Sequence, residues 1–227
     1  MILRQSHRHQ FITALLFSTL VSEALFGYNV LFSHTLEFDY LSWNLLLAWI
    51  PLLLAMRLRA VLSYKLWSSW EALILSLFWL IFLPNSFYMI TDYIHIQNVV
   101  TSDAVYAALI LTSFIYTGVA LGFTSLFLIH NNLKQRVSSK EAAFWIYTTL
   151  FVSSVAIYFG RDLRWNSWDV FINPGGLLFD VSDRLLNLFN YPQMIISILA
   201  MFILLCAMYN LLDKGTDLFI RTKESIK

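Results

Sequence analysis

The chain has 227 residues, of which 59% are hydrophobic and 17% aromatic, while only 13% are charged. A soluble domain carries about 25% charged residues, so this composition is typical of a membrane protein. The net charge of +1 comes from scattered basic residues with no single basic patch, which argues against a nucleic-acid partner.

The first apolar stretch, near residues 11–32, is too long for the hydrophobic region of a signal peptide and lacks a clear cleavage site. It is interpreted as a retained first span. Glu23 falls near its middle, where an unpaired charge is costly. Proton relay or ion coordination is one interpretation. The favoured one is a protonated or serine-bonded glutamate facing a neighbouring helix, with Ser22 and Thr19 nearby in sequence.

Six stretches contain the roughly 20 mostly apolar residues that a membrane-spanning helix needs. They lie near 11–32, 39–56, 72–90, 104–129, 142–159 and 192–212. The connections between them are short and hold no long linker. The sequence therefore predicts an all-α bundle of six transmembrane helices in a single membrane domain, residues 1–227.

The distribution of lysine and arginine predicts the orientation. With the N-terminus in the cytoplasm, only Arg161, Arg164 and Arg184 of the 15 basic residues fall on the outer side. Both termini are therefore expected in the cytoplasm.

Pro84 interrupts the third span, in the stretch LPNSFYMITDYIH. Proline lacks an N–H and clashes with the carbonyl four residues earlier, so a kink is expected and the Leu80 carbonyl needs another partner. Asn85 is well placed to help.

Four polar residues follow this break with the spacing i, i+3, i+7 and i+10. On a continuing α-helix they share an arc of about 80°, which we expect to face the bundle interior. They are Asn85, Tyr88, Asp92 and His95.

A second polar cluster, GRDLRWNSWD, follows the fifth span. A helical continuation would bring Asp162, Asn166 and Asp169 together, with Arg161 and Arg164 on an adjoining face. Topology places this cluster at the outer membrane level with Asn44, Asp92 and His95. The candidate ligand-binding residues are Asn44, Asn85, Tyr88, Asp92, His95, Arg161, Arg164, Asn166 and Asp169.

Two chemical interpretations remain open for these groups. The i, i+3 spacing of Asp92 and His95 suits a divalent metal or an acid/base pair, although two ligands are too few for a metal site. An ion pair between Asp92 and Arg161 or Arg164 is the structural alternative. The two arginines suit a phosphate, or they balance acids on the outer side. The only cysteine, Cys206, forms no intrachain disulfide, and no cofactor is expected.

The connection from 160 to 191 is the longest between spans. It is expected to turn at NPGG (173–176) and then form an amphipathic helix near 177–190. This helix lies on the outer membrane surface or covers the bundle. Its polar arc holds few basic residues, so anionic lipid is not its expected partner. That arc contains Asp180, Asp183, Arg184, Asn187 and Asn190, and the apolar arc contains Leu177, Leu178, Val181, Leu185, Leu188 and Phe189.

Three stretches, WNLLLAWIPLLLA, LPNSFYMITDYIH and GRDLRWNSWDVFINP, resemble a bacterial integral-membrane family known as a domain of unknown function, number thirteen sixty-one in its series. The likeness runs from the second span to the last. It implies a multi-pass protein of the bacterial cytoplasmic membrane and supplies no substrate. The chain has Phe87 where the family is expected to have proline, so only one proline kink is expected here.

Three functions remain open at this point, and the sequence leaves open whether any is enzymatic. The first is an outer-leaflet site for a polar or anionic ligand, such as a lipid headgroup or an envelope precursor. The second is a small-solute or ion transporter or channel, suggested by Glu23 and Pro84. The third is a structural or assembly subunit whose polar layer locks helices together.

Overall fold

The computed structural model describes the backbone of residues 5–33, 38–98 and 104–225, and the side chains of residues 10–31, 38–96 and 104–215. These residues form helices, turns and short loops, with no strand among them. The predicted all-α fold class is confirmed. The α-helices are α1 (Gln5–Ser33), α2 (Asp39–Val61), α3 (Trp70–Tyr88), α4 (Ala104–Lys134), α5 (Ser139–Asp162), α6 (Asp169–Ile172), α7 (Pro174–Leu186) and α8 (Pro192–Ser225).

Six helical segments are long and apolar enough to cross a membrane, in agreement with the sequence. They are Gln10–Leu31, Asp39–Val61, Trp70–Ile96, Ala104–Lys134, Ser139–Asp162 and Pro192–Gly215. Every predicted span is present, and most extend a few residues further than their apolar cores. The inside and outside assignment of their ends stays a prediction.

The chain forms two compact units, Met1–Arg136 and Val137–Lys227. We call them the first unit and the second unit, and each is described by itself. The expectation of a single domain stays a prediction.

In the first unit, α2 packs against α3 and α4, and α1 packs against α4. Glycines on α4 let α3 come close: a Cβ on Gly122 would lie 2.8 Å from Phe87 Cε1 and 2.8 Å from Ser86 Cβ. A Cβ on Gly118 would overlap the Met89 sulfur. This close approach fixes the C-terminal end of α3 and the start of the segment that follows it.

Beside Pro84, the Asn85 side chain bonds to its own helix, and a partner for the Leu80 carbonyl stays a prediction. The Asn85 side chain donates to the carbonyl of Phe82, at 3.0 Å. Asn side chains commonly bond a main-chain carbonyl three or four residues earlier in the chain.

The α-helix also ends sooner than expected, at Tyr88, and continues as a 3₁₀ helix over Met89–Asn98. The continuous α-helical arc from Asn85 to His95 was therefore wrong. In a 3₁₀ helix residues three apart eclipse one another, so Met89, Asp92 and His95 share one side. Met89 and Asp92 are both buried there.

In the second unit, α5 packs against α8. A capping box starts α5, with the Ser138 hydroxyl accepting from the Glu141 N–H and the Glu141 carboxylate accepting from the Ser138 N–H. A small core of Tyr158, Phe159, Met194 and Ile198 joins the end of α5 to the start of α8.

The connection between α5 and α8 differs from the prediction in two places. First, α5 ends at Asp162, so the helical continuation through GRDLRWNSWD was wrong. Arg164 has a φ of 58°, a left-handed conformation that commonly terminates helices. Second, NPGG is a helix start: the Asn173 side chain accepts from the Gly176 N–H at 3.1 Å, and Pro174 occupies the first turn of α7.

The predicted helix over 177–190 is split, because α7 ends at Leu186 and a 3₁₀ turn covers Leu188–Asn190.

Candidate functional site

The polar residues of the first unit meet where the start of α2 faces the 3₁₀ helix. The Asn44 side-chain amide donates to Asp92 Oδ2 at 3.2 Å. One turn away, the rings of Tyr40 and His95 lie 5.0 Å apart, tilted by 51°. The i, i+4 pair Tyr40 and Asn44 on α2 thus faces the i, i+3 pair Asp92 and His95 in antiparallel order. We call these four residues the polar end.

Asp92 is the most buried member of the polar end. Its residue exposure is 1%, whereas Tyr40, Asn44 and His95 are half-buried. Burying a carboxylate is costly unless hydrogen bonds compensate, and a bond from an amide to an ionised acceptor is among the stronger neutral-donor bonds. The bond from Asn44 therefore links α2 to the 3₁₀ helix at the point where the burial cost is greatest.

Asn85 and Tyr88, two further candidates, lie between Pro84 and the polar end. The amide of Asn85 serves its own helix through the Phe82 carbonyl. The main-chain carbonyl of Tyr88 accepts from the Thr91 hydroxyl at 2.7 Å. Both residues support the passage from α3 to the 3₁₀ helix.

The candidates of the second unit surround the end of α5. Arg161 is half-buried in the last turn of α5, and Arg164 is exposed after the helix end. The Asn166 N–H donates to Asp169 Oδ2 at 2.6 Å. This bond closes the loop that leads into α6. An ion pair from Asp92 to either arginine would connect residues of different units, so it stays a prediction. The expectation that both clusters lie at one membrane level also stays a prediction.

Glu23 is bonded to a serine, as the favoured interpretation expected. That serine is on α2 and is neither of its sequence neighbours Ser22 and Thr19. Glu23 accepts from the Ser42 hydroxyl of α2 at 2.8 Å. The hydroxyls of Ser22 and Thr19 bond to main-chain carbonyls of α1 instead. Serine and threonine hydroxyls within a helix commonly donate to the main-chain carbonyl four residues earlier, as both do here.

No group of three or more His, Cys, Asp and Glu side chains in the described part of the chain is arranged to hold a metal ion. Asp92 and His95 stay two weak metal candidates. Within the polar end, one carboxylate, one amide, one imidazole and one phenol can accept and donate hydrogen bonds to a polar group.

Sequence reasoning missed Tyr40 and the two glycines of α4. Tyr40 was detectable from its i, i+4 spacing to Asn44, which places both on one face of α2. The small-xxx-small pattern of Gly118 and Gly122 in an apolar helix indicates a close helix contact. A further polar contact, Ser18 Oγ to Thr117 Oγ1 at 2.6 Å, joins α1 to α4.

No curated protein and no solved structure matches the chain. A family model described as Protein of unknown function (DUF1361) matches residues 43–208. That range covers Asn44, Asp92 and the arginines of the second unit, whereas Glu23 and Tyr40 precede it. With most of its length matched and six helices able to span a bilayer, the chain belongs to this family of unknown function and is a multi-pass membrane protein.

Proposed function

We propose that this protein binds the polar headgroup of a membrane lipid, or of a lipid-linked envelope precursor, at the polar end of its first unit. In the predicted orientation, this end faces the outer leaflet of a bacterial cytoplasmic membrane. One observation carries the proposal: Asp92 is 1% exposed and hydrogen-bonded to Asn44, within a helical segment that can span a bilayer. Ionisable groups in such positions are costly and are by default candidates for a functional site.

The chemistry of the polar end favours a ligand that donates hydrogen bonds. Its one acidic side chain, Asp92, offers carboxyl oxygens that accept hydrogen bonds and is negative when ionised, so ammonium and hydroxyl groups suit it better than a bare phosphate. The anionic ligand expected from sequence depends on Arg161 and Arg164, which belong to the second unit. We therefore propose the ammonium or hydroxyl portion of a headgroup as the part that contacts the first unit.

A lipid series tests this proposal. The thermal midpoint of purified protein in detergent is measured with added phosphatidylethanolamine, phosphatidylglycerol or phosphatidylcholine. Ethanolamine and glycerol headgroups carry N–H or O–H donors, whereas choline carries none. A ligand at about 100 times its Kd stabilises by roughly 2.7 kcal/mol. We expect a rise of several degrees with one of the first two lipids and little change with phosphatidylcholine.

Asp92→Asn is the decisive variant, because it removes the charge yet retains an oxygen that can accept from Asn44. The lipid-dependent rise should disappear in this variant. Asp39→Asn is the matched control, since Asp39 is an exposed carboxylate at the same end of α2. Equal stabilisation by all three lipids, or an unchanged rise in Asp92→Asn, would contradict the proposal.

A structural role is the second candidate, favoured by the bond that Asn44 makes from α2 to Asp92 in the 3₁₀ helix. Such a bond can lock helices together without any ligand. Under this alternative, Asp92→Asn and Asn44→Ala lower the midpoint equally in every lipid. Comparing the lipid-free midpoints with the lipid-dependent shifts separates the two candidates.

A further inference from the structure

The polar side of α7 faces the second unit itself. The Trp165 indole donates to Asp180 Oδ2 at 2.8 Å, and the Tyr191 hydroxyl donates to Asp183 Oδ2 at 3.2 Å. The Arg184 guanidinium lies 3.8 Å from the centre of the Tyr191 ring. These contacts hold α7 through its polar residues to the segments on either side of it.

Two residues of the predicted apolar arc also face the core of the second unit. Val181 and Leu188 pack against the core that joins α5 to α8. The inward side of α7 is therefore mixed, with acids bonded to aromatic donors beside aliphatic contacts.

The opposite side of α7 is exposed and mainly apolar. Its residues Leu178, Phe179, Leu185 and Leu186 lie within an arc of about 120° at 100° per residue, and the exposed Ser182 lies in the middle of that arc. We call these four residues the apolar face; Leu186 is 84% exposed. Ile172 before α7 and Phe189 after it are also exposed, at 75% and 98%. Contiguous apolar surfaces of this kind mark contacts with lipid or with another protein.

The connectivity determines which environment this face meets. The chain enters the connection from α5, which ends at Asp162, and leaves it into α8, which begins at Pro192. Both helices are membrane spans packed against each other. A segment tied at both ends to two adjacent spans lies at the membrane surface, where lipid is the apolar phase within reach.

We propose that α7 is an interfacial membrane helix whose apolar face inserts at the boundary between headgroups and acyl chains, and that lipid is its partner. Its charged residues Asp180, Asp183 and Arg184 contact aromatic side chains of the second unit, so adhesion depends on apolar burial and is insensitive to lipid charge. The alternatives are a lid over other parts of the protein or a contact with a second copy.

Depth-dependent quenching tests this proposal in the intact protein. The only cysteine is replaced by Cys206→Ser, and Phe179→Cys or Leu186→Cys is labelled with an environment-sensitive fluorophore in vesicles. The quenchers are brominated phosphatidylcholine and aqueous iodide. Phe151→Cys, at an exposed position within the α5 span, is the lipid control, and Lys140→Cys, exposed at the start of α5, is the aqueous control.

We expect bromolipid to quench the labels at 179 and 186 at least about threefold more than the label at 140, approaching the quenching at 151. Replacing half the lipid with phosphatidylglycerol should leave this ratio unchanged. Quenching by iodide alone would place the face in water. Protection from both quenchers would mean that protein covers the face, as a lid or as a second copy. Either result would overturn the proposal.

Discussion

Two short helical segments, the 3₁₀ helix of the first unit and α7 of the second unit, both carry carboxylates, but the carboxylates are buried to different extents and have different partners. In the first unit, the 3₁₀ helix after α3 buries Asp92 against an amide from α2. In the second unit, α7 leaves Asp180 and Asp183 half-buried and bonds them to an indole and a phenol.

The partners explain the difference between the two segments. Tryptophan and tyrosine have an apolar body and a polar tip, which suits the boundary between water and lipid. The amide of asparagine lacks such an apolar body and donates a hydrogen bond to a carboxyl group inside a packed protein. The contacts of the 3₁₀ helix are thus typical of a protein interior, and those of α7 are typical of a membrane surface. Variants in one unit test its segment separately from the other, and a variant at Lys65 tests a surface ion pair outside both segments.

The largest effect is expected from Gly122→Ala in the first unit. The added Cβ would lie 2.8 Å from the ring of Phe87, which is completely buried and cannot swing aside. Overpacking of this kind costs about 3 kcal/mol and would displace the segment that carries Asp92. Thermal unfolding should show a clear loss of stability. Gly27→Ala, where nothing lies within 4 Å of the new Cβ, is the control and should be neutral or stabilising.

Asp92→Ala should have the next largest effect. It removes the acceptor from Asn44 and leaves that amide without this bond in a half-buried place, at a cost of about 2 kcal/mol. The midpoint should fall by roughly 4–8 °C. Asp92→Asn should lose less, because an acceptor oxygen remains. Equal losses in the two variants would show that charge, rather than the bond to Asn44, determines stability at this position.

Trp165→Phe should weaken the second unit by about 1 kcal/mol through loss of the indole bond to Asp180. Phenylalanine retains most of the contact with the core of this unit. A double-mutant cycle with Asp180→Ala, which removes the acceptor, isolates the pair, and a coupling near zero would rule out a stabilising bond. Trp145→Phe, at an exposed position on α5, should leave the midpoint unchanged.

Arg164→Gly should be neutral or stabilising by up to about 1 kcal/mol. Arg164 has a φ of 58°, which glycine adopts without the steric cost that a Cβ imposes. Arg161→Gly, inside α5, should instead destabilise by about 1 kcal/mol. If Arg164→Gly unfolds more readily than wild type, the arginine makes stabilising contacts that outweigh its backbone cost.

The smallest effect is expected at Lys65, which shares Glu71 with Arg57 in the first unit. Lys65 Nζ lies 2.7 Å from Glu71 Oε2, and the hydrogen bond to Glu71, with its charge, raises the Lys65 pKa above its ordinary value of 10.5. A raised folded-state pKa adds stability that is fully present below the unfolded pKa and is lost as pH rises through the folded pKa. Above pH 10.5, wild type should therefore lose its advantage over Lys65→Met. A constant difference across this range would contradict the pairing.

Much of the fold was predictable from the sequence, because a membrane span is specified by length and apolarity alone. All six spans were correct. The errors occurred where polar residues interrupt the pattern. Pro84 and the polar residues after it gave no signal that the helix would tighten to 3₁₀ at Met89. Likewise, nothing in GRDLRWNSWD indicated that Arg164, without the freedom of glycine, would terminate α5.

The candidate site was predictable in part. Placing Asn44 at the level of Asp92 followed from counting residues along two spans, and the two side chains are hydrogen-bonded. The partner of Glu23 was less accessible, because Ser42 comes from a different helix whose rotation about its axis is set by packing. Tyr40 was missed since an aromatic at a span end also fits a membrane interface.

The most direct test of the proposed function is lipid binding measured by native mass spectrometry on wild type, Asp92→Asn and Asp39→Asn. We predict that wild type and Asp39→Asn retain a phosphatidylethanolamine or phosphatidylglycerol adduct in preference to phosphatidylcholine. We also predict that Asp92→Asn lowers that affinity about tenfold, equivalent to about 1.4 kcal/mol. The same adduct pattern in all three proteins would contradict a headgroup site at Asp92.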